Sequence, residues 1–353
     1  MAGERKLSVT PAVRAHAVSS ADAVVLIQKM DFSQSKVLLA GFGHMGKAYF
    51  KALQRLGVRN LHVCVRSESS VASLRGKPGI RLTAGGYEKL TEDSVEGAAA
   101  IVAVPTDHLA GAVERLLKLG CKRILCEKPV SVFSHEIENL CRFAKENGAD
   151  VYCAFNRVAY PSFIEARARI LEAGGATSSV YTFTELSSQL DLSQHSENEK
   201  RRWGIANSLH VISMAHALIG VPQVWNSRRS GGLTWHPSGS VFVGSGVTET
   251  GTPFSYHADW GSAGRWSVEF YTQNVAVRLC PLEKLHMKAT SLGEWSEVNV
   301  AVFAPDLKPG IAEETAALLH REVFDAIPLF DLNWTAHLVR FAEDIFGYGG
   351  IPL

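Results

Sequence analysis

The sequence predicts an α/β protein with two unlike parts: an N-terminal doubly wound parallel sheet, then a C-terminal α/β domain carrying a large, mostly antiparallel open sheet. Three observations predict this. The chain has 353 residues, more than one hydrophobic core usually serves. Between residues 36 and 154 short apolar runs alternate with helical patterns, the grammar of parallel β-α-β units. After residue 153 strand-like segments follow one another with one early helix between them, as antiparallel sheets do.

In the first part, strands are expected at 36–40, 60–65, 80–83, 98–104, 123–126 and 150–154, with helices at 47–56, 69–74, 109–119 and 134–147 between them. In the second, a helix at 161–172 precedes strands at 180–186, 230–245, 254–260, 265–271 and 275–279. Two helices, 313–325 and 335–346, close the chain. The expected organisation is an extension over 1–35, a first domain over 36–153 and a second over 154–353. Its last helices pack back on the first domain. The extension carries one short helical stretch at 21–29 and reads as an arm onto a neighbouring subunit.

Lysine and arginine (36) nearly balance aspartate and glutamate (35), so no global field favours nucleic acid or an anionic membrane. No run reaches the roughly 18 apolar residues of a membrane span, and a secretory signal pattern is missing, so a cytoplasmic setting is expected. The six cysteines form no C-x-x-C pair and sit mostly in apolar runs, as reduced core residues do.

Gly41-Phe42-Gly43-His44-Met45-Gly46 lies between an apolar strand and a helix, the context in which G-x-G-x-x-G binds a dinucleotide. Gly41 permits the tight turn, Gly43 the approach of a pyrophosphate, and Gly46 close helix packing. The helix start at His44 and Met45 favours the anion. The first domain is therefore read as a Rossmann domain. An acidic residue normally ends its second strand to bind the adenosine ribose. Here Val65 holds that place and Arg66-Ser67 follow, a cation and a hydroxyl suited to a 2′-phosphate, so NADP(H) is favoured over NAD(H).

Two further segments end parallel strands, where open α/β sheets bind ligands: Pro105-Thr106-Asp107-His108 and Glu127-Lys128-Pro129. With Asn156-Arg157 and Tyr160-Pro161, this set resembles the glucose-fructose oxidoreductase/inositol dehydrogenase (Gfo/Idh/MocA) family over about residues 36–350. The resemblance implies that Pro105, Thr106, His108, Glu127 and Lys128 border the cofactor. It places Lys128 beside both nicotinamide and the reacting carbinol, and Asn156, Arg157 and Tyr160 beside the substrate.

Family members commonly carry an Asp-x-x-x-His pair on a helix of the second domain. His210 matches the histidine, Ala206 stands at the aspartate position, and Asn207 is the neighbour able to orient the imidazole. His216 is expected to be structural. The polar run 187–203 reads either as a solvated connection or as a lid in which Arg201 or Arg202 meets an anionic group. Aromatic residues at 235–236 and 254–266 are expected to pack the second sheet against the closing helices or a partner subunit.

These expectations describe an NAD(P)-dependent oxidoreductase of a sugar, nucleotide sugar or polyol, with Lys128 and His210 handling the proton and no metal ion. It is a homodimer or homotetramer through the second sheet. An imine or enamine reductase, and a non-catalytic dinucleotide-responsive binding protein, are the alternatives.

Overall fold

In a computed structural model, which describes residues 17–289 and 291–350, the apolar runs of the first part become six parallel strands. They are β1 (Lys36–Ala40), β2 (Asn60–Val65), β3 (Ile80–Ala84), β4 (Ala99–Val102), β5 (Arg123–Glu127) and β6 (Asp150–Ala154). Their spatial order is 6-5-4-1-2-3, reversing between β1 and β4. Both faces are apolar because helices cover both: Leu38, Cys64, Ala100 and Val102 lie in one buried cluster, Val37, Leu39, Val63 and Ile101 in another. The covering helices include α2 (His44–Arg55), α4 (Leu109–Lys118) and α5 (Ser134–Glu146), with a short α3 (Glu92–Val95) at the edge. The expected helix at 69–74 is a 3₁₀ segment, Glu68–Leu74.

The second sheet has eight strands: β7 (Ser178–Phe183), β8 (Pro222–Ser230), β9 (Val241–Thr248), β10 (Pro253–Asp259), β11 (Trp266–Tyr271), β12 (Ala276–Leu279), β13 (Leu285–Lys288) and β14 (Ser296–Val298). Their order is 14-13-12-11-7-10-9-8, antiparallel except where β7 meets β10. Segment 230–245, expected as one strand, is instead the turn of a hairpin over 231–240 followed by the first part of β9. β8 ends at Ser230, the chain reverses through a Leu233–His236 bridge, and β9 starts at Val241. β8 escaped the sequence reading because it is a sheet-edge strand with mostly polar, exposed residues.

One face of this sheet is covered by α8 (Leu209–Ile219) and by the closing helix α11 (Leu332–Phe346). Trp235 stacks on Trp260, and Trp260 on Phe346, so the aromatic segment packs on this closing helix. A Cβ at Gly204 would lie 2.3 Å from the Phe346 ring, which is why glycine stands there. The expected helix 313–325 breaks at His320, whose extended backbone separates α9 (Ile311–Leu319) from α10 (Arg321–Ala326). α9 packs on α2, and a two-residue strand, β15 (Phe330–Asp331), adds antiparallel to β6, so the chain end returns to the first sheet. One buried cluster runs unbroken from Leu38 and Val102 through α11 to Phe183, Phe242 and Phe270.

Helix α1 (Ser20–Lys29) corrects the reading of the extension for the residues described. It lies on α6 (Pro161–Glu172) and α10 of its own chain, burying Ala23 and Ile27. The Ser20 N–H and hydroxyl both donate to Glu165, at 2.8 and 3.0 Å. Residues 1–16 of the expected arm lie outside the described residues.

Candidate active site

The glycine loop meets the demands of a dinucleotide cradle. At Gly41, with φ of +102°, a Cβ would sit 2.3 Å from the Ala103 carbonyl oxygen on the neighbouring strand, so any side chain would push β1 from β4. At Gly46 it would strike the Gly41 carbonyl at 2.2 Å, whereas at Gly43 it would meet nothing within 4 Å. The glycine that must admit a ligand thus faces open space, and Gly43 begins α2 with no side-chain cap, leaving the first N–H groups of His44 and Met45 free for an anion. Arg66 and Ser67 follow β2 and are exposed; the Ser67 hydroxyl lies 2.8 Å from that of Ser69. The Arg66 guanidinium pairs with no carboxylate among the described residues.

Pro105, Thr106 and His108 form the turn after β4. The Thr106 hydroxyl donates to Glu199 at 2.6 Å, and Asn198 to Asp107 at 3.3 Å. Both partners lie on α7 (Glu197–Arg201), which the sequence left inside a polar run, so this run is clasped against the first sheet. Arg201 is exposed on α7. Arg202 is engaged elsewhere: it donates to Glu343 at 2.9 Å and to the Val132 carbonyl at 3.1 Å, and lies over the Phe133 and Tyr348 rings. That pairing locks the run to α11 and takes Arg202 away from a substrate role.

Lys128 follows β5, half-buried, and its Nζ donates to the Ala206 carbonyl at 2.5 Å. Ala206 lies in a π-helical turn, Gly204–Ser208, that widens the chain just before α8, and His210 stands one turn further on. The missing aspartate side chain is thus replaced, at that position, by a backbone oxygen that meets the lysine. Burial pushes the Lys128 ammonium down to about 8, with Glu127 opposing and Arg157 adding to the shift. Burial, then the positive charges of Lys128, Arg157 and Lys308, hold the His210 imidazole well below its usual range, so it is neutral near pH 7. Its Nδ1 is buried without a hydrogen-bond partner, and its ring lies 6.0 Å from that of Trp266.

A carboxylate does reach this place, from an element the sequence reading did not single out. Glu185, just after β7, accepts from the Asn207 amide at 2.8 and 3.1 Å, so Asn207 serves this acid. Burial lifts Glu185 to about 7 against those hydrogen bonds and the pull of Lys128. The available signal was an acid ending a strand immediately before the polar run.

Behind Lys128, Glu127 is buried and burial raises its pKa; Tyr49 donates to the equally buried Glu314 at 2.7 Å. The Asn156 amide donates to the Pro309 carbonyl at 3.1 Å and Tyr160 lies buried against Gly310, so both dock the returning chain. Arg157 faces the second sheet, 4.9 Å from the Trp266 ring centroid. His216 is structural: Nδ1 pairs with the Gly220 carbonyl at 2.8 Å and Nε2 with the Tyr181 hydroxyl at 3.1 Å.

A glycine cradle at a strand-order reversal, with Lys128 ending a strand of the same sheet, is the arrangement of a dinucleotide-binding α/β domain. Residues 35–155 match an oxidoreductase family with an NAD-binding Rossmann fold, Gfo/Idh/MocA. Over this domain the chain is similar to the Gfo/Idh/MocA oxidoreductases and has their NAD(P)-binding Rossmann fold. Solved structures extend the likeness to the whole architecture. A levoglucosan dehydrogenase in complex with NADH superposes with a TM-score of 0.71 at 17% identity, covering 89% of this chain and 96% of that one. A UDP-N-acetylglucosamine 3-dehydrogenase from Acidithiobacillus ferrooxidans gives 0.64 at 14%, over 88% and 96%. An oxidoreductase from Agrobacterium radiobacter, in complex with NAD+, L-tartaric acid and magnesium, gives 0.72 at 12%, over 90% and 97%. No curated protein sequence matches the chain. No helix among the described residues is long and apolar enough to cross a membrane.

Proposed function

We propose that the protein interconverts a carbinol and a carbonyl on a sugar or polyol, using NADP(H) in preference to NAD(H). The observation that carries this reading is that Lys128, bonded to the Ala206 carbonyl, lies within electrostatic reach of both His210 and Glu185. Sugar dehydrogenases among the structural neighbours support the substrate class. A bound nicotinamide supplies the hydride acceptor or donor. Lys128, poised near 8, takes the hydroxyl proton during oxidation and returns it during reduction. Neutral His210 donates its ring N–H to the hydroxyl oxygen, which leaves the hydroxyl's single proton directed at the lysine. A panel of sugars and polyols, followed by nicotinamide absorbance with both cofactors, tests the reading; absence of any substrate-dependent change would overturn it.

Two predictions arise here. If Glu185 titrates within the site, the pH profile of kcat/KM should show a transition near 7 besides that of Lys128 near 8. Glu185→Gln keeps an acceptor for Asn207 and is expected to erase only the lower one. For the cofactor, the exposed Arg66 and the Ser67–Ser69 hydroxyl pair favour a 2′-phosphate. NADP(H) should bind more tightly than NAD(H), and Arg66→Ala should cut that preference by about one to two decades, the worth of one charge-assisted contact. Equal affinities in the unaltered protein, measured by nucleotide fluorescence, would refute the cofactor choice.

The outward face of the second sheet exposes Val180, Val224, Val243 and Val247, which supports the reading of a homo-oligomer joined through it. Six unpaired cysteines support a reducing, cytoplasmic setting.

A further inference from the structure

Beside Trp266 and Arg157 lies a cavity of about 220 Å³, lined also by Arg265, Pro281, Leu282 and Glu283. It shares Trp266 with the proposed reaction site, since the His210 ring is 6.0 Å from that indole. Its walls are fixed from both sides: the Arg265 carbonyl accepts from Thr182 at 2.8 Å and the Leu282 carbonyl from Ser162 at 2.7 Å.

Two guanidiniums face this cavity, and neither is in an ion pair among the described residues. Arg157 lies over the Trp266 ring, with its Nε buried and without a hydrogen-bond partner. Arg265 is exposed at the mouth. Glu283, also at the mouth, supplies one negative charge against two positive ones, so the cavity keeps a net positive charge. Pockets for drug-sized ligands run to about 300–1,000 Å³, so this smaller cavity suits a ligand no larger than a single sugar ring. A stacked guanidinium offers its edge as a planar fork, the geometry that a carboxylate matches with two parallel hydrogen bonds.

We propose that the substrate is an acidic monosaccharide of the uronate class, whose carboxylate is held by Arg157 and Arg265 while its ring rests on Trp266. This rests on the sugar-oxidoreductase reading above and names the substrate class. It also moves anion recognition from Arg201 and Arg202, on and after α7, to the second sheet.

The test compares matched pairs, D-glucuronate with D-glucose and D-galacturonate with D-galactose, and adds D-glucose 6-phosphate. Both kcat/KM and the thermal shift of the cofactor-loaded full chain are read. The uronate of at least one pair is expected to exceed its hexose by about 10–100-fold in kcat/KM, the effect of one charge-assisted contact. Arg265→Ala should lower that ratio about tenfold or more. Arg157→Gln should do the same, and the melting temperature of each unliganded variant reports whether it is folded. Hexoses matching the uronates in both readouts would overturn the proposal while leaving the sugar-oxidoreductase reading intact. Preference for the 6-phosphate would overturn the carboxylate assignment. If no sugar is turned over, the reading of function fails, yet a thermal shift specific to a uronate and lost in Arg265→Ala still supports the cavity's role; its absence removes that too.

Discussion

Replacing Lys128 by alanine is expected to cut turnover by about 10²–10⁴-fold, the usual worth of general acid–base help, while cofactor affinity stays within a few-fold. In the proposed mechanism Lys128 is the group that exchanges a proton with the substrate. Burial has brought the ammonium to about 8, whereas His210 is held neutral far below that. The sign of the pH dependence follows. Oxidation needs the neutral amine, so its rate should rise as pH passes through about 8; reduction needs the ammonium, so its rate should fall through the same value. Lys128→Ala should abolish that dependence in both directions. Stopped-flow measurement with an identified substrate, paired with a cofactor titration, separates chemistry from binding. A variant with near-normal turnover would show that another group carries the proton.

The second large effect is expected far from the reacting atoms. Phe346 is fully buried, stacks on Trp260 and Tyr348, and meets Phe183 and Phe242 edge-on. Truncating a buried phenylalanine costs about 3–5 kcal/mol, the transfer loss plus an unfilled cavity. Phe346→Ala should therefore lower the melting temperature by many degrees. It should also loosen Gly204, which packs directly under the ring, and with it the turn whose Ala206 carbonyl holds Lys128. At a temperature where the variant is still folded, turnover is expected to fall while dinucleotide affinity changes little, because the glycine cradle stands on other elements. Denaturant titration and kinetics on one preparation would check both parts.

The first sheet was legible in the sequence because strands buried on both faces leave continuous apolar runs, with helical patterns and glycines between them. β2 and β6 match the expected ranges, and the glycine loop lies where its context placed it. The second sheet was less legible. β8 is a wet edge strand, and β13 and β14 have only four and three residues, too short for a period-two pattern to emerge. At the site, Lys128 and His210 could be nominated from local motifs. Glu185 could not, because its value arises from Asn207 and Lys128, which lie 22 and 57 positions away and meet it only in the folded chain. Arg202 misled for the complementary reason: a polar run says nothing of the carboxylate on α11 that claims its charge.

The unbroken apolar cluster that runs from β1 through α11 into the second sheet has a mechanical meaning. Parts joined by a polar interface can swing about a hinge; parts sharing one close-packed interior cannot separate without opening that interior to water. The two sheets are thus held as one block. The run 187–203 belongs to the same block: it is tied to the first sheet by the hydrogen bonds at Thr106 and Asp107 and to α11 through Arg202, and Trp203 is buried in the cluster. Lys128 and His210, carried by elements that share this one interior, therefore keep a fixed spacing without any swing of one sheet against the other.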